Sequence, residues 1–113
     1  MKRTQLGEFE EVVMLAVGIL SEGAYGVSIK KEIEIRLARN VSVGALQSAL
    51  NRLEEKGFLK SRVGEGTIER AGRPKKYFSI TTEGKKALEL TREIRNAMWN
   101  DIPDVSFDFK IAF

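Results

Sequence analysis

The chain of 113 residues contains no cysteine and no histidine. Without cysteine there is no disulfide framework and no thiol chemistry, which suits a reducing cytoplasm. Without histidine the commonest general base and the commonest zinc ligand are both missing. No apolar run approaches the length that crosses a bilayer, and Met1-Lys2-Arg3 leads into a mixed amphipathic segment rather than a secretory signal. There are no repeats, low-complexity runs or linkers, and no phosphate-binding loop, dinucleotide fingerprint or metal cluster. Ser28-Ile29-Lys30-Lys31 spells the S-x-x-K of acyl-transfer enzymes, but its companion motifs are missing. Asn40-Val41-Ser42 is a glycosylation sequon by spelling only. Neither an enzyme, nor a cofactor, nor a membrane protein is expected.

What the chain does have is an uneven charge. The net charge is only +3. Between Arg52 and Lys86, however, ten basic residues face five acidic ones, while the remainder carries nine basic and eleven acidic. A local positive excess of this kind is the electrostatic footprint of a nucleic-acid binder. At this length the chain forms one core with little to spare.

Helical periodicity places a first helix near residues 6–21, with Phe9, Val12, Val13, Ala16, Ile19 and Leu20 as its inward stripe and Met14 outside it. Leu15 and Val17 widen the stripe, so this helix touches more than its own small domain. Glu8, Glu10 and Glu11 suit the positive end of its dipole. A second helix follows from about Gly26 to Arg39, turning inward Ile29, Ile33 and Leu37 and leaving Lys30 and Lys31 mainly outside. Tyr25, Phe58, Tyr77, Phe78 and Ile80 read as core or near-core.

The organising stretch runs from Ser42 to Gly84. Ser42 is a candidate N-cap for a third helix. At 100° per residue Leu46, Ala49, Leu50 and Leu53 share one face of it. Gly44, Ser48, Asn51 and Glu55 centre the opposite face, with Gln47 and Arg52 on its flanks, and Gly57 stands where a left-handed cap ends the helix. Small and amide-bearing side chains can enter a major groove and bond base edges. The competing reading is an ordinary solvated surface. FLKSRV and KKYFSI then read as two strands around a loop shaped by Gly64, Gly66, Gly72 and Pro74. Arg70, Arg73, Lys75 and Lys76 fall within seven residues that contain no acid. A polar-faced helix followed by a hairpin with a cationic tip is the layout of a winged helix. The helix reads the major groove and the wing lies along phosphates or the adjacent minor groove. Lys60 and Arg62, on the outward side of the first strand, are weaker phosphate candidates.

Three segments carry a family resemblance. They are Tyr25-Gly26, then G-A-L-x-x-x-L-N-R-L-E-x-x-G-F-L, then G-R-P-K-K-Y-F-S-I-T-x-x-G, in this order and spacing. The chain resembles the PadR family of bacterial and archaeal transcriptional regulators from about Leu6 to about Leu90. It departs at Gln47 and Ser48, where the family usually carries a Tyr-Pro pair. The resemblance implies a cytoplasmic repressor.

The expected fold is mostly α with a small β-hairpin (α+β): a winged helix-turn-helix DNA-binding domain over residues 1–81, then a C-terminal dimerisation helix and tail over 82–113. The last helix starts near Thr82, a candidate cap, and reaches about Trp99. Ala87, Leu90, Thr91, Ile94, Ala97 and Met98 form one stripe, and Leu88 and Trp99 share another face. Two apolar faces on a terminal helix call for a second packing partner, and a two-fold homodimer is the economical answer. The expected site therefore comprises Ser42, Gly44, Gln47, Ser48, Asn51, Arg52, Arg70, Arg73, Lys75 and Lys76 on double-stranded DNA. Leu90, Ile94, Met98 and Trp99 serve the dimer or an effector. Trp99 reads first as a dimer-core aromatic. The resemblance adds a sharper role, since small PadR-like regulators that bind flat aromatic drugs stack them on a tryptophan of this helix. The rival to DNA binding is a protein-binding winged-helix adaptor. After the last helix, Val105, Phe107, Phe109, Ile111 and Phe113 alternate with Ser106, Asp108, Lys110 and Ala112, which predicts a strand with one apolar face.

Overall fold

The computed structural model of the chain describes residues 6–66 and 74–107. Helix α1 (Glu8–Leu20) is followed by a 3-10 turn (Ser21–Gly23), α2 (Gly26–Leu37) and α3 (Val43–Glu55). The hairpin β1 (Leu59–Gly66) and β2 (Pro74–Ile80) leads into α4 (Thr82–Asn100) and a last 3-10 turn (Asp104–Ser106). This is the winged-helix order expected of an α+β chain.

Local rules account for most boundaries. Ser42 Oγ accepts from the Ala45 N–H at 3.0 Å, so the predicted cap starts α3. Gly57 ends it with φ +80°, a conformation glycine adopts without a Cβ penalty. Ser28 Oγ accepts from the Tyr25 N–H at 2.9 Å and donates to the Gly23 carbonyl at 2.6 Å, which fixes the turn into α2. The cap of α4 is Thr81, one residue before the expected Thr82. Its hydroxyl accepts from the Gly84 N–H at 2.9 Å and donates to the Gly57 carbonyl at 2.6 Å, so one side chain ties the start of α4 to the end of α3.

The strands pair antiparallel, with Leu59 opposite Ile80, Ser61 opposite Phe78 and Arg62 opposite Tyr77, and an irregularity between Val63 and Gly66. Tyr25 adds a single bridge to Tyr77, and the Phe78 N–H donates to the Ala24 carbonyl at 2.8 Å, so the segment before α2 extends the sheet edge. The core gathers Ile29 and Ile33 of α2, the face Leu46, Ala49, Leu50 and Leu53 of α3, and Phe58, Leu59 and Phe78 of the hairpin.

Helix α1 turns inward most of the stripe its periodicity suggests, with Phe9, Val12 and Leu20 packed against the core, and differs at Met14 and Ile19. Val13, Met14, Ala16 and Val17 are buried, whereas Ile19 is 51% exposed and Leu15 is also open. Met14 therefore belongs to the core. The helix is apolar nearly all round, so periodicity alone does not decide which side turns in. A shallow apolar groove of about 270 Å³ remains between α1 and α2, lined by Val12, Leu15, Ala16, Ile19, Ile33 and Leu37.

Gly84 marks the tightest junction. A Cβ there would overlap the Phe58 carbonyl oxygen and stand 2.9 Å from Met14 Cε. Because the nearer obstacle is backbone, a larger residue has to displace the start of α4. Gly84→Ala is therefore expected to destabilise the fold by roughly 1–3 kcal/mol, read as a lower urea midpoint at unchanged m-value.

The tail departs from expectation where it is described. Asp104–Ser106 is a 3-10 turn, and only Phe107 returns to extended backbone. Pro103, extended as the N-cap of that turn, starts it. The Phe107 ring meets Trp99, with centroids 5.8 Å apart. The rest of the predicted strand, Asp108 to Phe113, lies outside the described residues.

Candidate nucleic-acid interface

The exposed ridge of α3 carries Gly44, Gln47, Ser48, Asn51 and Arg52. It is presented rigidly, because the opposite face is fully buried and both ends are capped. The turn before it is pinned by Glu34 of α2. Glu34 Oε2 accepts from the Val41 N–H and from Lys30 Nζ, both at 2.9 Å. The Val41 hydrogen bond, then that from Lys30, holds this carboxyl below the ordinary glutamate value. At the start of the ridge the Gln47 carboxamide lies beside Gly26, where a Cβ would be 3.6 Å from Gln47 Nε2.

The hairpin stands next to this ridge. Ser61 Oγ donates to Glu54 Oε2 at 2.7 Å, and Lys76 Nζ lies 3.4 Å from Glu54 Oε1, so a carboxylate of α3 holds both strands. A groove of about 340 Å³ separates the two elements, with Tyr25, Gly26, Lys30, Val43, Gln47, Pro74, Lys75 and Lys76 among its lining. Gln47 of the helix ridge and the base of the wing therefore share one concave surface. Arg70 and Arg73 lie outside the described residues.

Arg52 is engaged within the protein. Its Nε donates to Glu10 Oε2 at 3.1 Å, and Lys56 Nζ donates to Glu10 Oε1 at 2.8 Å. Glu10 is 5% exposed and also accepts from the Gly7 N–H at 2.7 Å, closing the first turn of α1. Burial pushes its carboxyl up, but the hydrogen bonds from Lys56, Gly7 and Arg52 outweigh that and hold it below the ordinary value. Glu10 thus joins the start of α1 to the end of α3. The first-turn position that suits an acid at the helix dipole does not by itself reveal these partners. Val13, Met14 and Val17 lie three, four and seven residues on, so the true core face of α1 puts Glu10 among them.

Helix α4 is moored to α1 by Arg95 Nη2 and Glu11 Oε1, 3.1 Å apart. Only Gly84 and Ala87 of this helix are buried, while Leu90, Ile94, Met98 and Trp99 are all at least half exposed. Among the described residues no group of acidic side chains could hold a metal ion, and no helix is long and apolar enough to cross a membrane.

The profile of the transcriptional regulator PadR-like family matches residues 16–90. The chain belongs to that family, whose members are DNA-binding regulators of transcription and not enzymes. A transcriptional regulator from Clostridium thermocellum is 29% identical over 81% of this chain and 84% of its own, with a TM-score of 0.63. A PadR family transcription regulator from hypervirulent Clostridium difficile R20291 is 27% identical over 81% and 92%, at 0.59. A third, a PadR family regulator from Eggerthella lenta DSM 2243, shares the fold at 24% identity, covering 90% and 88% with a TM-score of 0.68. No curated protein sequence matches the chain.

Proposed function

We propose that this regulator is a cytoplasmic homodimeric repressor that reads an inverted repeat. Residues 1–81 form its DNA-binding domain and residues 82–113 its dimerisation helix and tail. The observation that carries the reading is the shared groove, which sets Gln47 of the α3 ridge against Lys75 and Lys76 of the wing. Asn51 and Gln47 have the amide geometry to pair with adenine edges, and the wing lysines, with Arg70 and Arg73, supply phosphate contacts. Two such faces related by a two-fold enter successive major grooves.

The dimer is supported by two apolar surfaces that one chain leaves uncovered. These are the stripe Leu90, Ile94 and Met98 on α4 and the groove between α1 and α2. A second copy can cover both. Trp99 is 65% exposed and its ring meets that of Phe107 at a tilt of 54°, which leaves indole surface for a flat aromatic effector whose binding would shift the spacing of the two reading helices.

The test is a titration against the DNA upstream of its own gene at several salt concentrations. A steep log–log dependence, on the order of one unit per phosphate contact, is expected. Asn51→Ala should erode discrimination between operator and scrambled sequence by roughly 1–3 kcal/mol. Affinity without salt dependence, or equal for both sequences, would instead favour the protein-binding adaptor.

A further inference from the structure

We infer that Tyr25 is a positioning residue for DNA binding, holding the ammonium of Lys75 at the groove between α3 and the wing for a backbone phosphate. This rests on the reading of that groove as the DNA face. The cations around the groove are not equivalent. Lys30 is paired with Glu34 at 2.9 Å and Lys76 with Glu54 at 3.4 Å. A cation held by a carboxylate has to share its charge or leave its partner before it meets a phosphate. Lys75 forms no ion pair among the described residues, and its Nζ lies 4.2 Å from the centroid of the Tyr25 ring. An aromatic face attracts and orients an ammonium through its quadrupole without cancelling its charge. The lysine is thereby ordered in advance and keeps its full charge for the ligand.

The ring itself is well fixed. Tyr25 is the N-cap of α2 and is bridged to Tyr77 through the backbone. The two rings meet edge to face with centroids 5.6 Å apart, and Arg62 covers the Tyr77 ring at 4.8 Å. Arg62 and Tyr77 are direct cross-strand partners, so Arg62, Tyr77, Tyr25 and Lys75 form one row across the sheet edge. The row ends in the groove that also contains Gln47. A phosphate seated at Lys75 would hold the duplex in register with the first base-reading side chain of α3.

Salt-dependent binding by the wild type and four variants tests this. Lys75→Ala is expected to lower the log–log salt slope of the dimer by about two units, one phosphate contact in each subunit. Tyr25→Leu should lower it equally, Tyr25→Phe should restore it, and Tyr25→Leu combined with Lys75→Ala should be no worse than Lys75→Ala alone. In the free wild-type protein the Lys75 side-chain methylene resonances should be shifted upfield by the ring. Lys75 methylenes at random-coil positions overturn the proposal, and this reading needs no variant to fold. So does a Tyr25→Leu protein of weakened affinity but wild-type slope, or a Tyr25→Phe protein that fails to recover. A wild type without any salt-dependent affinity overturns the DNA face itself and this role with it. A steep wild-type slope with any of the other results removes Tyr25 alone.

Discussion

Ile94→Asp is expected to give a folded monomer in light scattering, with operator affinity lowered by roughly 10²–10⁴-fold, the factor by which two linked contacts exceed one. Ile94 is 50% exposed in the single chain. A carboxylate there can stay hydrated in the monomer, so helix content should be unchanged. In the proposed dimer the same carboxylate would enter an apolar contact twice over, and an unpaired buried charge costs several kcal/mol. The loss of affinity follows because each monomer retains the α3 ridge and wing but reaches only one half-site. Its residual binding should keep a salt dependence, with a slope about half that of the dimer as phosphate contacts are halved. A dimer that persists with Asp at this position would move the subunit contact away from α4. A monomer that still binds operator as tightly as wild type would detach dimerisation from recognition.

The recognition helix and hairpin were legible because local rules define them. The α3 face repeats at helical spacing, Ser42 caps, Gly57 turns, and glycines with Pro74 bracket the wing. Thr81 and Thr82 are equally good caps in isolation. The Gly57 carbonyl, which receives the Thr81 hydroxyl, decides between them. Helix α1 differs at Met14 and Ile19 for another reason: with apolar residues on nearly every side, the edges of its core face are set by what packs against it. The alternation from Val105 onward carries a strand signal, yet Asp104–Ser106 is a 3-10 turn. Tyr25 reads as a core aromatic, and its contact with Lys75 becomes visible only when the hairpin returns beside it. The partners of Glu10 are 42 and 46 residues away in sequence, beyond any local pattern.

Replacing Glu10 by Gln is the largest stability loss expected from a change that adds and removes almost no volume. Glu10 Oε1 accepts from both the Gly7 N–H and Lys56, so an amide oxygen kept there turns the nitrogen toward Arg52, donor against donor. The Lys56 side chain is 15% exposed and Glu10 only 6%, whereas Arg52 at 51% can turn to water. Lys56 then keeps a neutral acceptor in place of a carboxylate, and the loss of that charge amounts to roughly 1–3 kcal/mol, or a fall in Tm on the order of 10 °C at most. The pH dependence separates this cause from a packing defect. Glu10 is held below its ordinary value of 4.5 in the folded chain, so the unfolded chain takes up the proton first as pH falls. Its contribution is complete above that value and is lost as pH drops through the folded one. Glu34 is lowered in the same direction, so the wild type should lose stability from both. The gap between wild type and Glu10→Gln isolates Glu10: wide near neutral pH and narrowing steadily below 4.5. A gap that stays constant into acid would show that the variant fails through packing and that the ion cluster contributes little.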